Sequence, residues 1–201
     1  MTRNGGNGWS GAGYLEMLAG AEPGDAVEVW MESTYLVHTV FACREGMGDQ
    51  TTEWRWMFLD DGSLIETSPD GFYRYRQHLV LRQGSALYEE LVAQDGALVR
   101  FEARVREGTS ARRPVHVTID GLEYRVASTG TAEMERRGPE PDLLPWKSIS
   151  RDPSKNVYFG LVNAEDEDRV ILGLWTAHIC LSTGAPLLET QISGVYQQPR
   201  K

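Results

Sequence analysis

Aromatic and arginine side chains are concentrated between residues 54 and 78, in the stretch WRWMFLDDGSLIETSPDGFYRYRQH. Rings beside guanidinium groups on a sheet can stack on bases or hold a flat ligand. The six aromatic rings of this stretch also carry enough apolar area to form a core. We predict a ligand or partner surface here, formed by Trp54, Trp56, Tyr73, Tyr75, Arg74, Arg76, His78, Asp60 and Asp61.

Possible metal ligands are few and scattered. His178 and Cys180 fall on one face of a predicted strand, and with His38 and Cys43 they have the side chains that a tetrahedral zinc site uses. Such a site requires two distant strands to pair in one register. Partly buried histidines and two reduced core thiols are therefore the preferred interpretation, and the sequence predicts neither a metal nor a cofactor.

Carboxylates occur in two groups, at Asp60 and Asp61 and in the run from Glu165 to Asp168. Paired carboxylates can transfer protons or bind calcium. Both groups are predicted in hairpin turns, where solvated acids are ordinary, and the run from Glu165 to Asp168 lacks the spacing of a calcium loop. The chain also contains no G-x-S-x-G, Cys-x-x-Cys, P-loop or dinucleotide motif, which favours a non-catalytic role.

Alternating residues predict that the stretch from 54 to 78 is a three-stranded meander. Trp54, Trp56 and Phe58 fall on one face of the first strand. Asp60-Asp61-Gly62 and Ser68-Pro69-Asp70-Gly71 supply the turns. On the third strand, Arg74, Arg76 and His78 are predicted to share one face, with Tyr73 and Tyr75 on the other.

The rest of the chain also predicts short strands. A helix is expected near residues 85–93, with Ser85 as its N-cap, and a half-buried strand from Val99 to Val105. The segment from Val115 to Ala127 contains Asp120-Gly121 between two alternating runs, which is the signature of a hairpin. The segment from Gly138 to Asn156 is a boundary or a functional loop.

These elements predict an all-β or β-rich α+β fold, either an antiparallel barrel or sandwich or two packed small β modules, with one or two short helices. We expect a flexible N-terminal lead-in at 1–13, a first β module at 14–110, a second at 111–196 and a tail at 197–201. One continuous domain remains the alternative.

The charge is acidic and uneven. The net charge is −9, and residues 1–70 carry 12 acidic and 3 basic side chains. An acidic surface repels phosphate, so we expect no nucleic-acid partner. Without an apolar run of membrane-spanning length or a signal peptide, the sequence predicts a cytoplasmic protein with no membrane span.

Three segments, GDAVEVWMESTYLV, WRWMFLDDGSLIE and VTIDGLEYRV, resemble small β domains of bacterial proteins of unknown function. The resemblance covers about a third of the chain and implies the strand-turn organisation, but it transfers no functional residue. From the residues themselves we predict a non-catalytic binding or assembly module that interacts with another protein or with itself. The alternative is a ligand-binding barrel, or an enzyme for a small hydrophobic substrate, with a cavity lined by the tryptophans.

Overall fold

A large antiparallel sheet of 12 strands makes up most of this computed structural model, which describes residues 13–47, 50–69 and 71–199. The β-rich prediction is confirmed, and the sheet is not a closed barrel. The strands are β1 (Ala26–Val29), β2 (Thr34–Met47), β3 (Gln50–Leu59), β4 (Leu64–Ser68), β5 (Gly71–Leu81), β6 (His116–Ile119), β7 (Leu122–Thr131), β8 (Glu133–Arg137), β9 (Val157–Asn163), β10 (Val170–Trp175), β11 (Ile179–Pro186) and β12 (Ile192–Tyr196). The helices are α1 (Tyr14–Ala19), α2 (Ala86–Val92) and α3 (Ala97–Arg106).

The strand order runs from β12 at one edge of the sheet to β6 at the other, and a crossing of the chain between β7 and β8 lets the open sheet curl around a core. The order is β12-β1-β2-β3-β4-β5-β11-β10-β9-β7-β6, and β8 pairs separately with β2. Because only Ala132 separates β7 from β8, the chain crosses there from one side of the sheet to the other. Glu45 on β2 braces this crossing, since its carboxylate accepts hydrogen bonds from the Thr131 N–H (3.2 Å) and the Tyr158 hydroxyl (2.7 Å).

Backbone pairing joins the two predicted β modules, residues 14–110 and 111–196. β1 pairs with β12, β5 with β11 and β2 with β8, so each of these ladders connects residues 14–110 to residues 111–196. Most of the predicted lead-in, residues 1–12, lies outside the described residues, as do residues 200 and 201 of the predicted tail.

The predicted meander is confirmed as β3, β4 and β5. Gly62 has a φ of +82° in the first turn, where the Asp61 carboxylate accepts hydrogen bonds from the N–H and the hydroxyl of Ser63 at 2.9 and 2.7 Å. Trp54, Trp56 and Phe58 share one buried face, as their alternation predicts. Asp70 of the second predicted turn lies outside the described residues.

A β-bulge on β5 changes the predicted faces of that strand. Tyr75 is opposite Gly184 and Gln77 is opposite Thr183, so Arg76 is the extra residue between them. One extra residue moves the following side chains to the opposite face. His78 therefore lies on the face of Tyr75, with its ring 6.0 Å from that of Phe58, and the prediction that it shares a face with Arg74 and Arg76 is wrong.

The predicted strand at Val99–Val105 is also wrong, because residues 97–106 form α3. Val99 is 41% exposed, whereas Ala97, Leu98 and Phe101 are buried at helical spacing. Most residues of this segment are good helix formers, and the buried stripe packs in one cluster with α2 and β7. Packing of the helical face thus overrides the period-two pattern, and the helix leaves Val99 and Val105 exposed.

Two local predictions are confirmed. α2 begins after Ser85, whose hydroxyl accepts a hydrogen bond from the Tyr88 N–H at 3.4 Å. β6 and β7 form the predicted hairpin. Asp120 and Gly121 have φ values of +50° and +78°, as a type I′ turn requires.

The curled sheet buries one apolar cluster on its inner face, which we call the inner cluster. Its buried members are Phe41, Cys43, Trp54, Trp56, Phe58, Leu64, Tyr75, Ala132, Trp146, Val170, Leu172, Leu174 and Cys180. A second cluster lies beneath α2 and α3, and a third lies against α1 and β12. None of the helices in the described ranges is long and apolar enough to cross a membrane. The cytoplasmic location stays a prediction.

Candidate functional site

A cavity of about 360 Å³, which we call the aromatic cavity, lies on the inner face between β3–β5 and β9–β10. Its volume falls in the lower part of the range for small-molecule sites. Most of its walls are aromatic, aliphatic or small. The described residues that line it are Thr52, Trp54, Trp56, Glu66, Ser68, Pro69, Tyr73, Tyr75, Ala127, Ser128, Tyr158, Gly160, Leu161, Val162, Val170, Ile171 and Leu172.

The meander places one wall of the cavity. Trp54 and Trp56 project inward from β3 because strand residues two apart share a face. Glu66 on β4 is directly opposite Trp56 on one side and Tyr73 on the other. The Tyr75 hydroxyl donates a 2.8 Å hydrogen bond to the Glu66 carboxylate, which fixes this acid beside the rings.

Tyr158 on β9 supplies the opposite wall. Its ring centroid lies 5.1 Å from that of Trp54 and 6.1 Å from that of Trp56, with the ring planes inclined by 57° and 68°. The two tryptophans are themselves 5.5 Å apart and nearly perpendicular, at 79°. Trp56 is edge-to-face with both other rings and Trp54 is tilted against Tyr158, so the three rings pack against one another at one corner of the cavity.

Trp146 closes the inner face beyond this corner. It belongs to the segment from Gly138 to Asn156, is fully buried, and packs its ring 5.2 Å from both Trp56 and Phe58. Asn156 anchors the segment, because its buried side chain bonds the carbonyl groups of Ala132 and Ser150 at 3.2 and 2.8 Å. The segment that the sequence leaves as a boundary or a functional loop therefore packs against the inner cluster.

Two tyrosines and one cysteine near the cavity hold their protons at neutral pH. Burial, and then the Glu66 carboxylate, raises the pKa of Tyr75 well above its ordinary value. Burial and the Glu45 hydrogen bond raise the pKa of Tyr158, and burial together with Glu66 raises that of Cys43. None of these three groups is therefore poised to exchange a proton near pH 7.

Arg74 and Arg76 lie apart from the aromatic cavity. Arg74 is 5% exposed, lies on the face of β5 opposite Tyr73 and Tyr75, and pairs with Glu32 at 2.8 Å and Asp61 at 3.1 Å. Arg76 pairs with the same Glu32. Partial burial opposes the ionisation of Glu32, but the two arginine hydrogen bonds lower its pKa. These ion pairs connect the turn after β1 to the turn after β3.

The guanidinium of Arg74 also lies 4.8 Å above the Tyr35 ring. Asp60 joins the same region by accepting a hydrogen bond from the Leu36 N–H at 3.0 Å. The structure therefore brings Trp54, Trp56, Tyr73 and Tyr75 together and leaves Arg74, Arg76, Asp60, Asp61 and His78 outside the cavity lining.

The partly buried His78 pairs with the fully buried Ser182. The Ser182 hydroxyl lies 2.9 Å from His78 Nδ1, and His78 Nε2 lies 2.9 Å from the Gly62 carbonyl oxygen. Because a carbonyl only accepts, Nε2 carries the proton and Nδ1 accepts from the serine. Burial lowers the pKa of His78, so the ring is neutral. Ser182 is fully buried and offers no accessible nucleophile.

The four candidate zinc ligands do not form a site. His38 is exposed, with Nδ1 3.0 Å from the Thr39 hydroxyl, whereas Cys43 and Cys180 are buried in the inner cluster. Burial raises the pKa of Cys180 to about 11. Across the described part of the chain, no group of three or more His, Cys, Asp or Glu side chains could hold a metal ion, and His178, Cys180, His38 and Cys43 are not brought together in one.

A second, larger groove of about 460 Å³ is lined by both signs of charge. Its arginines pair within the chain. Arg44 contacts Glu133 at 2.6 Å, and Arg55 and Arg137 contact Glu22 at 3.2 and 2.7 Å. These internal ion pairs make the groove a weaker candidate than the aromatic cavity for holding a charged ligand.

Sequence reasoning missed Glu66 and Tyr158 as parts of the site. The sequence did contain a signal for Glu66. Leu64 and Glu66 are two residues apart on a short strand and therefore share a face, and Leu64 points into the inner cluster. Tyr158 had no local signal, since its neighbour Trp54 is more than a hundred residues away in the chain. Comparisons with protein-family models, curated proteins and solved structures find no match, and the resemblance to small β domains stays a prediction.

Proposed function

We propose that this chain is a non-catalytic binding module whose small ligand occupies the aromatic cavity. The observation that carries the proposal is the corner of inclined rings formed by Trp54, Trp56 and Tyr158 beside one hydrogen-bonded carboxylate, Glu66. A mostly apolar cavity with a small number of placed polar groups is the usual form of a small-molecule site. This is the ligand-binding alternative of the sequence interpretation.

The chemistry of the cavity supports binding rather than catalysis. Proton transfer near neutral pH needs a group with a pKa near 7. Tyr75 and Tyr158 have raised pKa values and use their hydroxyls to donate to carboxylates. Fixed donors and rings of this kind position a ligand without changing it.

The test is binding of a neutral fluorescent probe in the cavity. N-phenyl-1-naphthylamine has about 17 heavy atoms, and at about −0.3 kcal/mol per atom it would bind with roughly 0.2 mM affinity. We expect its fluorescence to rise and saturate with the wild-type protein. Replacing the exposed cavity-lining Ser128 by Phe would fill the mouth and abolish the signal.

The matched control is Thr118→Phe, which adds the same ring at an exposed strand position outside the cavity lining. This variant should bind the probe like the wild type. Equal probe binding by the wild type and the Ser128→Phe variant, or no binding by the wild type, would exclude the aromatic cavity as the site.

A second candidate function is self-association, which is one form of the protein partner that the sequence predicts. The turn after β1 exposes Trp30 by 63% and Met31 by 90%, and two adjacent exposed apolar side chains of this size are typical of contact surfaces. Sedimentation over a range of concentrations should show a mass increase that Trp30→Ser removes and Leu79→Ser, at another exposed site, retains. A constant monomer mass would reject self-association.

A further inference from the structure

The charge of the cavity wall and the chemistry of its rings point to the class of ligand. We infer that the aromatic cavity binds a methylated ammonium group, held against the rings of Trp54, Trp56 and Tyr158 and beside the carboxylate of Glu66. This inference rests on the proposed function. It adds that the ligand carries a positive charge and that its nitrogen is methylated.

The wall is anionic. Of the described residues that line the cavity, Glu66 is the one with a side chain charged at neutral pH. Glu45 adds a second carboxylate just behind the wall, 2.7 Å from the Tyr158 hydroxyl. The raised pKa values of Tyr75 and Tyr158 have the Glu66 charge among their causes, so its field reaches both sides of the cavity.

The rings strengthen the preference for a cation. Aromatic faces attract cations, and they do so more strongly where water is excluded than at exposed sites. Trp56 is 1% exposed and Trp54 is 7% exposed, so protein atoms already cover most of both rings, and the partly buried ring of Tyr158 offers more of its surface to a ligand. Because neighbouring rings are inclined by 57–79°, they approach a ligand from different directions, as in the aromatic cages that bind quaternary ammonium groups.

The shortage of acceptors favours methylation. A primary ammonium group has three N–H donors and needs an acceptor for each when it leaves water. Aromatic rings are poor substitutes for oxygen acceptors, and one oxygen of Glu66 already accepts the 2.8 Å hydrogen bond from Tyr75. A trimethylammonium group has no N–H, so it enters the same site without leaving donors unsatisfied.

The experiment compares choline with 3,3-dimethyl-1-butanol, a neutral analogue of the same shape. Binding is followed through the indole N–H signals of the tryptophans in nitrogen-15 nuclear magnetic resonance spectra of the full chain. We expect choline to bind at least about tenfold more tightly than the neutral analogue. Equal affinity for the two compounds, or tighter binding of the neutral one, would overturn the inference.

Two variants separate the local carboxylate from general surface charge. Glu66→Gln should weaken choline binding about tenfold and leave the neutral analogue unchanged. Glu53→Gln removes one charge from an exposed position of the same β3 strand outside the cavity lining, and should leave both affinities unchanged. Equal losses in both variants would overturn the role of Glu66. The wild-type comparison with the neutral analogue remains decisive if Glu66→Gln does not fold.

A methylated ammonium group can belong to a free small molecule or to a lysine side chain of a protein. A peptide with trimethyllysine, compared with the same peptide carrying unmodified lysine, distinguishes these sources. Tighter binding of the methylated peptide than of choline supports a protein source, and the reverse supports a free metabolite. If neither cation binds while N-phenyl-1-naphthylamine does, the cation inference fails and the proposed function stands; if no compound binds, both fail.

Discussion

Replacing Trp146 by alanine tests whether the segment from Gly138 to Asn156 is part of the inner cluster. The ring is fully buried and contacts Phe41, Trp56 and Phe58 at centroid distances of 5.2–5.4 Å. Aromatic side chains bury about 150–250 Å², which at about 25 cal/mol per Å² corresponds to about 4–6 kcal/mol as an upper bound. Because alanine retains part of this burial and the cluster relaxes, we expect a loss of about 3–5 kcal/mol.

The assay is urea denaturation followed by far-ultraviolet circular dichroism, since removing a tryptophan alters the fluorescence signal. The midpoint should fall while the dependence of the free energy on urea stays the same. Lys147→Ala is the matched control, because this side chain is 49% exposed in the same 3-10 turn and its loss should change stability by less than about 0.5 kcal/mol. A loss below about 1 kcal/mol for Trp146→Ala would refute the packing argument.

Two further predictions concern polar groups outside the cavity. Because the pKa of His78 is lowered in the folded state, the folded protein binds fewer protons than the unfolded chain. The contribution of His78 to the free energy of unfolding is therefore complete above about pH 6.5, and it is lost as the pH falls through the pKa of the folded state. His78→Gln should flatten the pH dependence of the unfolding free energy in that window, and an unchanged pH profile would contradict the buried neutral ring. Arg74→Met should cost about 2–3 kcal/mol in urea denaturation, less than for a fully buried pair because the partner carboxylates are 29% and 31% exposed. Arg44→Met, at a pair more than half exposed, should lower the free energy of unfolding much less than Arg74→Met, and equal losses at the two arginines would refute the distinction.

Local chemistry in the sequence was enough to predict several elements. Trp54, Trp56 and Phe58 alternate on one face, Asp120-Gly121 forms the hairpin turn, and Ser85 caps a helix. These features depend on neighbours within a few residues, where side-chain periodicity and backbone preference act directly. Trp54 and Trp56 line a cavity in the structure, whereas the ligand-binding alternative that the sequence offers stays a prediction.

Tertiary structure decided where the local patterns were ambiguous. The residues of α3 alternate in polarity like a strand, yet the contact available to Ala97, Leu98 and Phe101 favoured a helix. One bulge at Arg76 placed His78 on the inner face and left the arginines outside. The pattern of residue types along β5 does not predict this bulge.

The sequence by itself determined the β-rich framework, its tight turns and the inward direction of Trp54 and Trp56. Only the tertiary structure decided that Tyr158 meets these rings and that Glu66 lies beside them as part of a cavity wall. The physical reason is that alternation specifies which face a side chain takes, but not which distant strand lies opposite. That choice depends on the pairing of β5 with β11 and on the crossing from β7 to β8, which are set by packing of the whole sheet.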